Sequence, residues 1–132
     1  MHPTRNDLST KTRTKVVEVL NARLADAIDL QFQAKQAHWN VKGPNFIALH
    51  ELFDKIAGDL SGQVDDMAER ITALGGTAEG TIQAVAGRSK LPVYPLGLTE
   101  GRAHLEALAG ALARFAKSVR KAIAETGKAG DA

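Results

Sequence analysis

Apolar residues recur every three or four positions through three separate segments, and this spacing limits the possible folds more than any other feature. It predicts helices over about Thr10–Val41, Phe46–Leu74 and Glu100–Thr126. The second predicted helix has the longest apolar stripe, which consists of Leu49, Leu52, Ile56, Leu60, Val64, Met67, Ile71 and Leu74. No alternating pattern typical of a β-strand occurs, so we expect an all-α fold.

Capping and breaking residues stand at the predicted helix ends. Ser9 and Thr99 are candidate N-caps, while Gly43-Pro44, Gly75-Gly76 and Gly127 are expected to end the three helices. The first stripe consists of Val17, Leu20, Leu24, Ala27, Gln31, Ala34 and His38. The third consists of Leu105, Leu108, Leu112, Phe115, Val119 and Ile123.

The long connection between the second and third helices, residues 77–98, is expected to cross the domain. Within it, Thr81–Ala86 is predicted to form a short helix and Leu91–Pro95 an extended segment. Three long helices with one long crossover predict a four-helix bundle that has lost one member. We expect residues 1–132 to form a single domain, with residues 1–8 as a basic N-terminal tail.

Composition narrows the possible chemistry and location. The chain has no cysteine, so any metal must be held by His, Asp, Glu or backbone oxygen. Neither a signal peptide nor a membrane span is evident, and a cytoplasmic location is expected. The net charge is only +2, but basic residues crowd the N-terminus. A loose basic tail is a reasonable binder of DNA phosphates, although the charge alone is better explained by a solubilising terminus.

One face of the second predicted helix carries side chains that bind metal ions. His50, Asp54, Asp65 and Glu69 fall within an arc of about 120° beside the apolar stripe. Asp54 and Asp65 are nevertheless ~16 Å apart along the helix axis. Because metal–ligand bonds are only about 2 Å long, one helix cannot bring all four residues to one ion.

A two-fold axis removes this difficulty. In an antiparallel copy of the helix, one register pairs Asp54 with the partner subunit's Asp65 and also pairs His50 with the partner subunit's Glu69. An isologous dimer of this kind contains two identical sites, each built from both subunits. Close approach of the partner also explains two glycines near the centre of the helix, where each costs about 1 kcal/mol relative to alanine. These are Gly58 and Gly62.

His38, at the end of the first stripe, is a further candidate ligand. Two imidazoles and three carboxylates favour iron or manganese over a closed structural zinc site. Taken singly, each of these residues is also explained as a core histidine or a solvated carboxylate. The metal site is favoured because one register of two antiparallel helices satisfies both pairings. No Glu precedes a His by three residues, so a di-iron centre inside one bundle is not expected.

Several segments resemble the DNA-protection-during-starvation (Dps) family of miniferritins. Residues Lys35–Phe46 and Ala48–Asp54 closely resemble its signature, and so does Asp65–Ile71 leading to a Gly-Gly pair. Leu91–Leu96 is similar to the family's crossover segment, and the resemblance covers residues 5 to 132. The family usually continues with another long helix, which this chain lacks, so a ferritin-like bundle with an open groove is expected.

The resemblance implies an iron site and a ferroxidase activity. In the family, the residues matching His38, His50 and Asp54 come from one subunit, and those matching Asp65 and Glu69 come from the two-fold partner. Fe(II) is oxidised there, preferably by hydrogen peroxide, and ferric mineral collects inside a hollow homododecamer. Trp39 resembles the family's radical-accepting aromatic residue, although packing at the end of the first helix explains it equally well.

The resemblance also implies non-specific DNA binding by the N-terminus and association with the nucleoid. The candidate contacts are Arg5, Lys11, Arg13 and Lys15, of which the last three can lie on the first helix. Two alternatives stay open: a nucleoid-packing protein that binds DNA without ferroxidase activity, and a structural helical dimer whose carboxylates hold zinc or nothing.

Overall fold

The computed structural model describes all residues from 1 to 132 and contains four α-helices and no strand. The helices are α1 (Thr10–Asn40), α2 (Phe46–Ala73), α3 (Ile82–Arg88) and α4 (Gly101–Ala129). The all-α prediction is confirmed, as are three long helices and a short helix in the crossover. None of the helices combines the length and apolar composition needed to cross a lipid bilayer.

Helix α1 is the centre of the fold, because every extensive contact between helices includes it. Its side of the interface with α2 is lined by small residues, Ala34 and Ala37, which are fully buried opposite Ala57 and Phe53. A second apolar cluster joins α1 to both α2 and α4 further along the bundle. Small side chains allow close helix approach, and the larger ones fill the remaining space.

Polar side chains of α1 hold the crossover in place. Asn21 donates from Nδ2 to the carbonyl of Thr77 at 3.0 Å. Asp26, which is 1% exposed, accepts the backbone N–H of Lys90 at 2.8 Å. Because a buried polar group without a partner is costly, these bonds fix the path of a segment that has little regular structure.

Both ends of α4 differ from the prediction. Thr99 was expected as its N-cap, but the carbonyl of Thr99 accepts a hydrogen bond from Lys42 N–H at 2.8 Å, and Glu100 caps the helix instead. An isolated β-bridge between Lys42 and Glu100 keeps the chain extended through Glu100, one residue beyond Thr99. Gly127 was expected to end α4, yet the helix continues to Ala129 and ends at Gly130, whose φ of 107° is left-handed.

The N-terminal segment is docked on the C-terminal end of α2, which corrects the expectation of a loose tail. His2 donates its backbone N–H to the carbonyl of Gly75 at 2.6 Å. The Arg13 guanidinium donates to the carbonyls of Leu74 and Leu8. The bonds to Leu74 and Gly75 satisfy carbonyls that the end of α2 leaves free. Gly75 has a φ of 86°, and a Cβ there would lie 2.4 Å from the His2 oxygen, so the turn requires glycine.

His104 of α4 joins the crossover to the core and is 1% exposed. Its Nδ1 accepts a hydrogen bond from the Tyr94 hydroxyl at 2.5 Å, and its Nε2 donates to the carbonyl of Leu98 at 3.1 Å. Burial lowers the pKa of His104, and burial raises the pKa of Tyr94 to about 12. Both side chains are therefore neutral at physiological pH.

Acidification should destabilise the fold through His104. Since its pKa is lowered in the folded state, the unfolded chain binds the proton more readily, and this stability is lost as pH falls below about 6.5. His104→Gln should reduce the change in unfolding free energy between about pH 7 and pH 5, measured by urea denaturation. The control is His2→Gln at an exposed position, and equal pH dependence in both variants would contradict the assignment.

Candidate metal centre

Two histidine side chains meet where α1 ends and α2 begins. The rings of His38 and His50 are stacked, with centroids 3.8 Å apart and an angle of 20° between their planes. Each ring bonds to the other residue's backbone: Nδ1 of His38 lies 2.6 Å from the carbonyl oxygen of His50, and Nδ1 of His50 lies 2.7 Å from that of His38.

The end of α1 explains one of these bonds. In a continuing helix the carbonyl of His38 would accept the N–H of Lys42, but that N–H bonds to Thr99 instead. The His50 ring therefore caps a carbonyl that the helix end leaves free. A carbonyl oxygen only accepts, so Nδ1 carries the proton in both neutral rings, and each Nε2 keeps its lone pair. Histidine metal ligands commonly have this arrangement, in which a backbone bond orients the ring and fixes its tautomer.

Asp54 lies one turn beyond His50 and faces the same ring pair. Its Oδ1 is 3.9 Å from Nε2 of His38 and 2.6 Å from Nζ of Lys35. The hydrogen bond from Lys35 holds the pKa of Asp54 below its ordinary value of 3.8, with smaller electrostatic contributions from Lys35 and the two histidines. The Asp54 side chain is 49% exposed, whereas that of His38 is 14% exposed. The centre is therefore exposed to solvent on the side of Asp54.

Asp65 and Glu69 lie further along α2, and the fold of one chain does not bring them to the histidines. Both are exposed on the flank of α2 that also carries Asp54. No cluster of three or more His, Asp or Glu side chains within one chain can hold a metal ion. One chain thus groups His38, His50 and Asp54 without completing a metal site, and it leaves Asp65 and Glu69 exposed on the surface.

The surface between Asp54 and Asp65 is open and lacks bulky side chains. Gly58 and Gly62 are exposed, and a Cβ added at either position would meet nothing within 4 Å. No contact inside the chain accounts for these two glycines. A flat strip of this kind permits close approach of another helix backbone.

Aromatic residues flank the histidines. The ring of Phe46 stacks on His50 at a centroid distance of 5.0 Å, so the imidazole pair is covered on that side. Trp39 is 60% exposed, which corrects the alternative that it packs at the end of the first helix. The sequence-based reasoning missed Phe46 and Lys35 as parts of this centre. The position of Lys35, three residues before His38 and so on the same helix face, could have indicated its role.

The basic N-terminal candidates fall into two groups. Arg5 precedes α1, while Lys11 and Lys15 lie on its first two turns, and all three are exposed. Arg13, by contrast, uses its guanidinium to cap α2 and also donates to Thr10 Oγ1 at 3.3 Å. Arg13 is thus engaged in the fold, and only the other three present free cationic surface.

Comparison with known proteins relates these features to a family. A family model described as Ferritin-like domain matches residues 17–132. The chain is 45% identical over 130 residues to a DNA protection during starvation protein of Agrobacterium fabrum, covering 98% of this chain and 80% of that protein. It is 38% identical to the protein of that name from Mycolicibacterium smegmatis, covering 76% of this chain and 55% of that one.

Solved structures show the same likeness. DpsC from Streptomyces coelicolor superimposes with a TM-score of 0.92 at 34% identity, covering 98% of this chain and 75% of that chain. Mycobacterium smegmatis Dps superimposes with a TM-score of 0.91 at 33% identity, covering 97% and 78%.

The Lys35–Asp54 pair gives a direct test of the electrostatics of the centre. In a Lys35→Met variant the pKa of Asp54 should rise toward its ordinary value, because the charged hydrogen bond is lost while most of the aliphatic stem remains. Carboxyl-carbon NMR titration measures this shift. Lys55→Met is the matched control, because Lys55 pairs with Asp59 instead. An unchanged Asp54 titration in Lys35→Met would show that the pair does not persist in solution.

Proposed function

Because the chain belongs to the ferritin-like DNA-protection-during-starvation family, we propose that two copies of it bind and oxidise Fe(II) at sites shared across a two-fold axis. Iron is the substrate of this reaction and the cargo stored after it. One observation carries the proposal: the stacked imidazoles of His38 and His50 keep their Nε2 atoms free, and Nε2 of His38 lies 3.9 Å from Asp54, next to an open strip of α2.

The partner would supply the remaining ligands. An antiparallel α2 in the register that pairs Asp54 with the partner subunit's Asp65 also brings the partner subunit's Glu69 to His50. The exposure of both carboxylates and the bare surface at Gly58 and Gly62 support this contact. Each dimer then holds two equivalent sites.

The donor set suits the reaction. Imidazole and carboxylate ligands both bind Fe(II), and carboxylates stabilise the higher charge of Fe(III). Two Fe(II) ions give one electron each to hydrogen peroxide; its O–O bond breaks, and two protons complete two molecules of water. No hydroxyl radical is released when both electrons are delivered together. Trp39, whose indole is exposed and which follows His38 directly in the sequence, is the proposed acceptor of a stray oxidising equivalent.

Lys35 has a role before iron arrives. Its ammonium offsets the charge of Asp54 and lowers the pKa of that carboxyl, which is ionised at neutral pH. An incoming cation replaces this ammonium at Oδ1, so the ligand needs no deprotonation. Because the pair is exposed to water, breaking it costs little.

Storage and protection follow from the family assignment. We propose that dimers assemble further into a hollow homododecamer in which ferric mineral collects, as a cytoplasmic, nucleoid-associated protein. Removing Fe(II) together with peroxide protects DNA from oxidative damage.

Loss of two carboxylates should abolish the reaction. Fe(II) is added anaerobically, hydrogen peroxide follows, and near-ultraviolet absorbance reports Fe(III). Asp54→Asn combined with Glu69→Gln should slow the rise at least about tenfold, since one ligand is lost from each contributing subunit. The matched control, Asp66→Asn with Glu106→Gln, removes two exposed carboxylates elsewhere. Equal rates of Fe(II) oxidation in the original protein, the double variant and the control would show that Asp54 and Glu69 do not form the oxidation site.

Complementation tests whether the site is shared. Asp54→Asn and Glu69→Gln are made as separate proteins, each expected to be inactive. After they are unfolded and refolded together, half of the dimers are mixed, and one of the two sites in each mixed dimer is intact. About a quarter of the original activity should return. If mixing restores nothing while each variant remains folded and dimeric, all ligands come from one chain or from a different surface.

DNA binding is a second proposed activity, supported by the exposed cations of Arg5, Lys11 and Lys15. Replacing all three by Gln should weaken binding to duplex DNA and reduce the slope of log affinity against log salt by about 1 to 3. Iron oxidation should be unaffected. The control replaces Lys42, Lys55 and Arg102, which are exposed outside the N-terminal region. If the N-terminal change alters nothing, the terminus is only solubilising; if DNA binding occurs without iron oxidation, the nucleoid-packing alternative is favoured.

A further inference from the structure

The outward face of α4 carries a row of four cations, which we call the basic stripe. It consists of Arg114, Lys117, Lys121 and Lys128. Because these residues are three, four and seven positions apart, they fall within an arc of about 60° on the helix surface. The row is ~21 Å long, and all four side chains are exposed.

The basic stripe points away from the rest of the bundle. On the other side of α4, Leu112, Phe115 and Val119 line an open groove against α2. That apolar side lies ~180° around the helix from the basic stripe. A helix that filled the groove would therefore leave the basic stripe in solvent. The flank of α2 that carries Asp54 belongs to a helix on which α4 does not pack extensively, so the iron site is separate as well.

Acidic residues offset little of the charge on the basic stripe. Lys121 is its one member with an ion-pair partner, because its Nζ lies 3.9 Å from Oε1 of Glu125. The other three cations form no ion pair. By contrast, Arg102, near the start of the same helix, is paired with Glu106 at 3.1 Å. The second half of α4 therefore presents positive charge that is mostly uncompensated.

The first two turns of α1 lie beside the end of α4 and add to this charge. Thr12 donates from Oγ1 to the carbonyl of Ala129 at 3.0 Å, which holds the two helix ends together. Lys11 and Lys15 are exposed on either side of Thr12 in the sequence, and Glu18 is the exposed acid that follows them. The basic stripe and the start of α1 thus form adjoining surfaces with six cations and two carboxylates.

The docked N-terminal segment gives this fixed surface its importance. Because the segment is bonded to the end of α2 and Arg13 caps that helix, the terminus cannot wrap around a ligand as a free tail does. It presents only three exposed cations, Arg5, Lys11 and Lys15. The basic stripe more than doubles that number, and its side chains project from a helix that is already ordered.

We propose that the basic stripe binds the phosphate backbone of duplex DNA, alongside the N-terminal cations. This inference rests on the DNA binding proposed above and locates most of the contact on α4. Duplex DNA carries one negative charge per ~1.7 Å of its axis, so a row of cations ~21 Å long can contact several phosphates at once. Contacts of this kind read no base, and the binding should be independent of sequence.

The test measures the fluorescence anisotropy of a labelled duplex of about 30 base pairs with the full chain over a range of salt concentrations. The stripe variant has Gln at all four positions of the basic stripe. It should bind at least about tenfold more weakly at about 0.1 M salt, and the slope of log affinity against log salt should fall by about 2 to 4. The control variant loses the same charge from four exposed positions elsewhere, Lys42, Lys55, Lys90 and Arg102. It should keep most of the affinity.

Two further variants test charge at the basic stripe without removing it. Replacing Lys117, Lys121 and Lys128 by Arg keeps the charge and should preserve binding. Glu125→Gln removes the carboxylate beside Lys121 and should tighten binding about twofold. Iron oxidation is measured in every variant and should be unchanged, because none of these residues belongs to the proposed iron site.

Three outcomes overturn the proposal. Equal weakening in the stripe and control variants would show that only net charge matters. Unchanged binding in the stripe variant, together with weakening on replacement of Arg5, Lys11 and Lys15, would confine the contact to the N-terminus. An original protein that binds no duplex at low salt would reject DNA binding altogether, whatever its iron oxidation. Weakening in the stripe variant alone supports the basic stripe, even if the N-terminal substitutions have no effect.

Discussion

The fold depends on the packing of α1 against its neighbours. No other element contacts α2, α3 and α4 together, and α1 supplies the small buried residues on which α2 rests. Ala34 and Ala37 lie four and one residues before His38, so the close contact that they permit also sets the distance between the two histidine rings. The positions of the two histidines are thus fixed by core packing, and a larger side chain at either alanine would displace their rings as well as cost stability.

The end of α1 also orients the two histidine rings. Because Lys42 bonds to Thr99, the last turn of α1 has a free carbonyl at His38, and the ring of His50 satisfies it. The reciprocal bond orients the ring of His38. A helix that continued through Lys42 would remove the acceptor that fixes His50. The break at Gly43, whose φ of 115° favours a residue without a side chain, therefore affects the orientation of His50 as well as the turn.

Periodicity and local capping rules predicted the four helices, because helix formation and capping depend on residues that are close in sequence. The all-α class, the four helices and the caps at Ser9 and Gly75 followed from such patterns. Other contacts join residues far apart in sequence, and no local pattern predicts them. These are the docking of the N-terminus, the bond from Arg13 to α2 and the pairing of Lys35 with Asp54. For the same reason the start of α4 was misplaced, because the backbone N–H of Lys42 donates to the carbonyl of Thr99. The grouping of His38 with His50 and Asp54 is seen in the structure, whereas the contribution of Asp65 and Glu69 stays a prediction.

Charge links dimer formation to cation binding in the proposed assembly. Each shared site gathers Asp54 with two carboxylates from the partner, and three negative charges in close proximity repel one another unless cations are present. Lys35 offsets one of these charges at the metal-free site. The remaining repulsion should make the empty dimer weaker than the iron-loaded dimer, since each ion lowers the cost of bringing the α2 helices together. In the proposed dimer, Lys35 therefore lowers the repulsion between metal-free subunits, and its exposed ammonium is readily displaced by a cation.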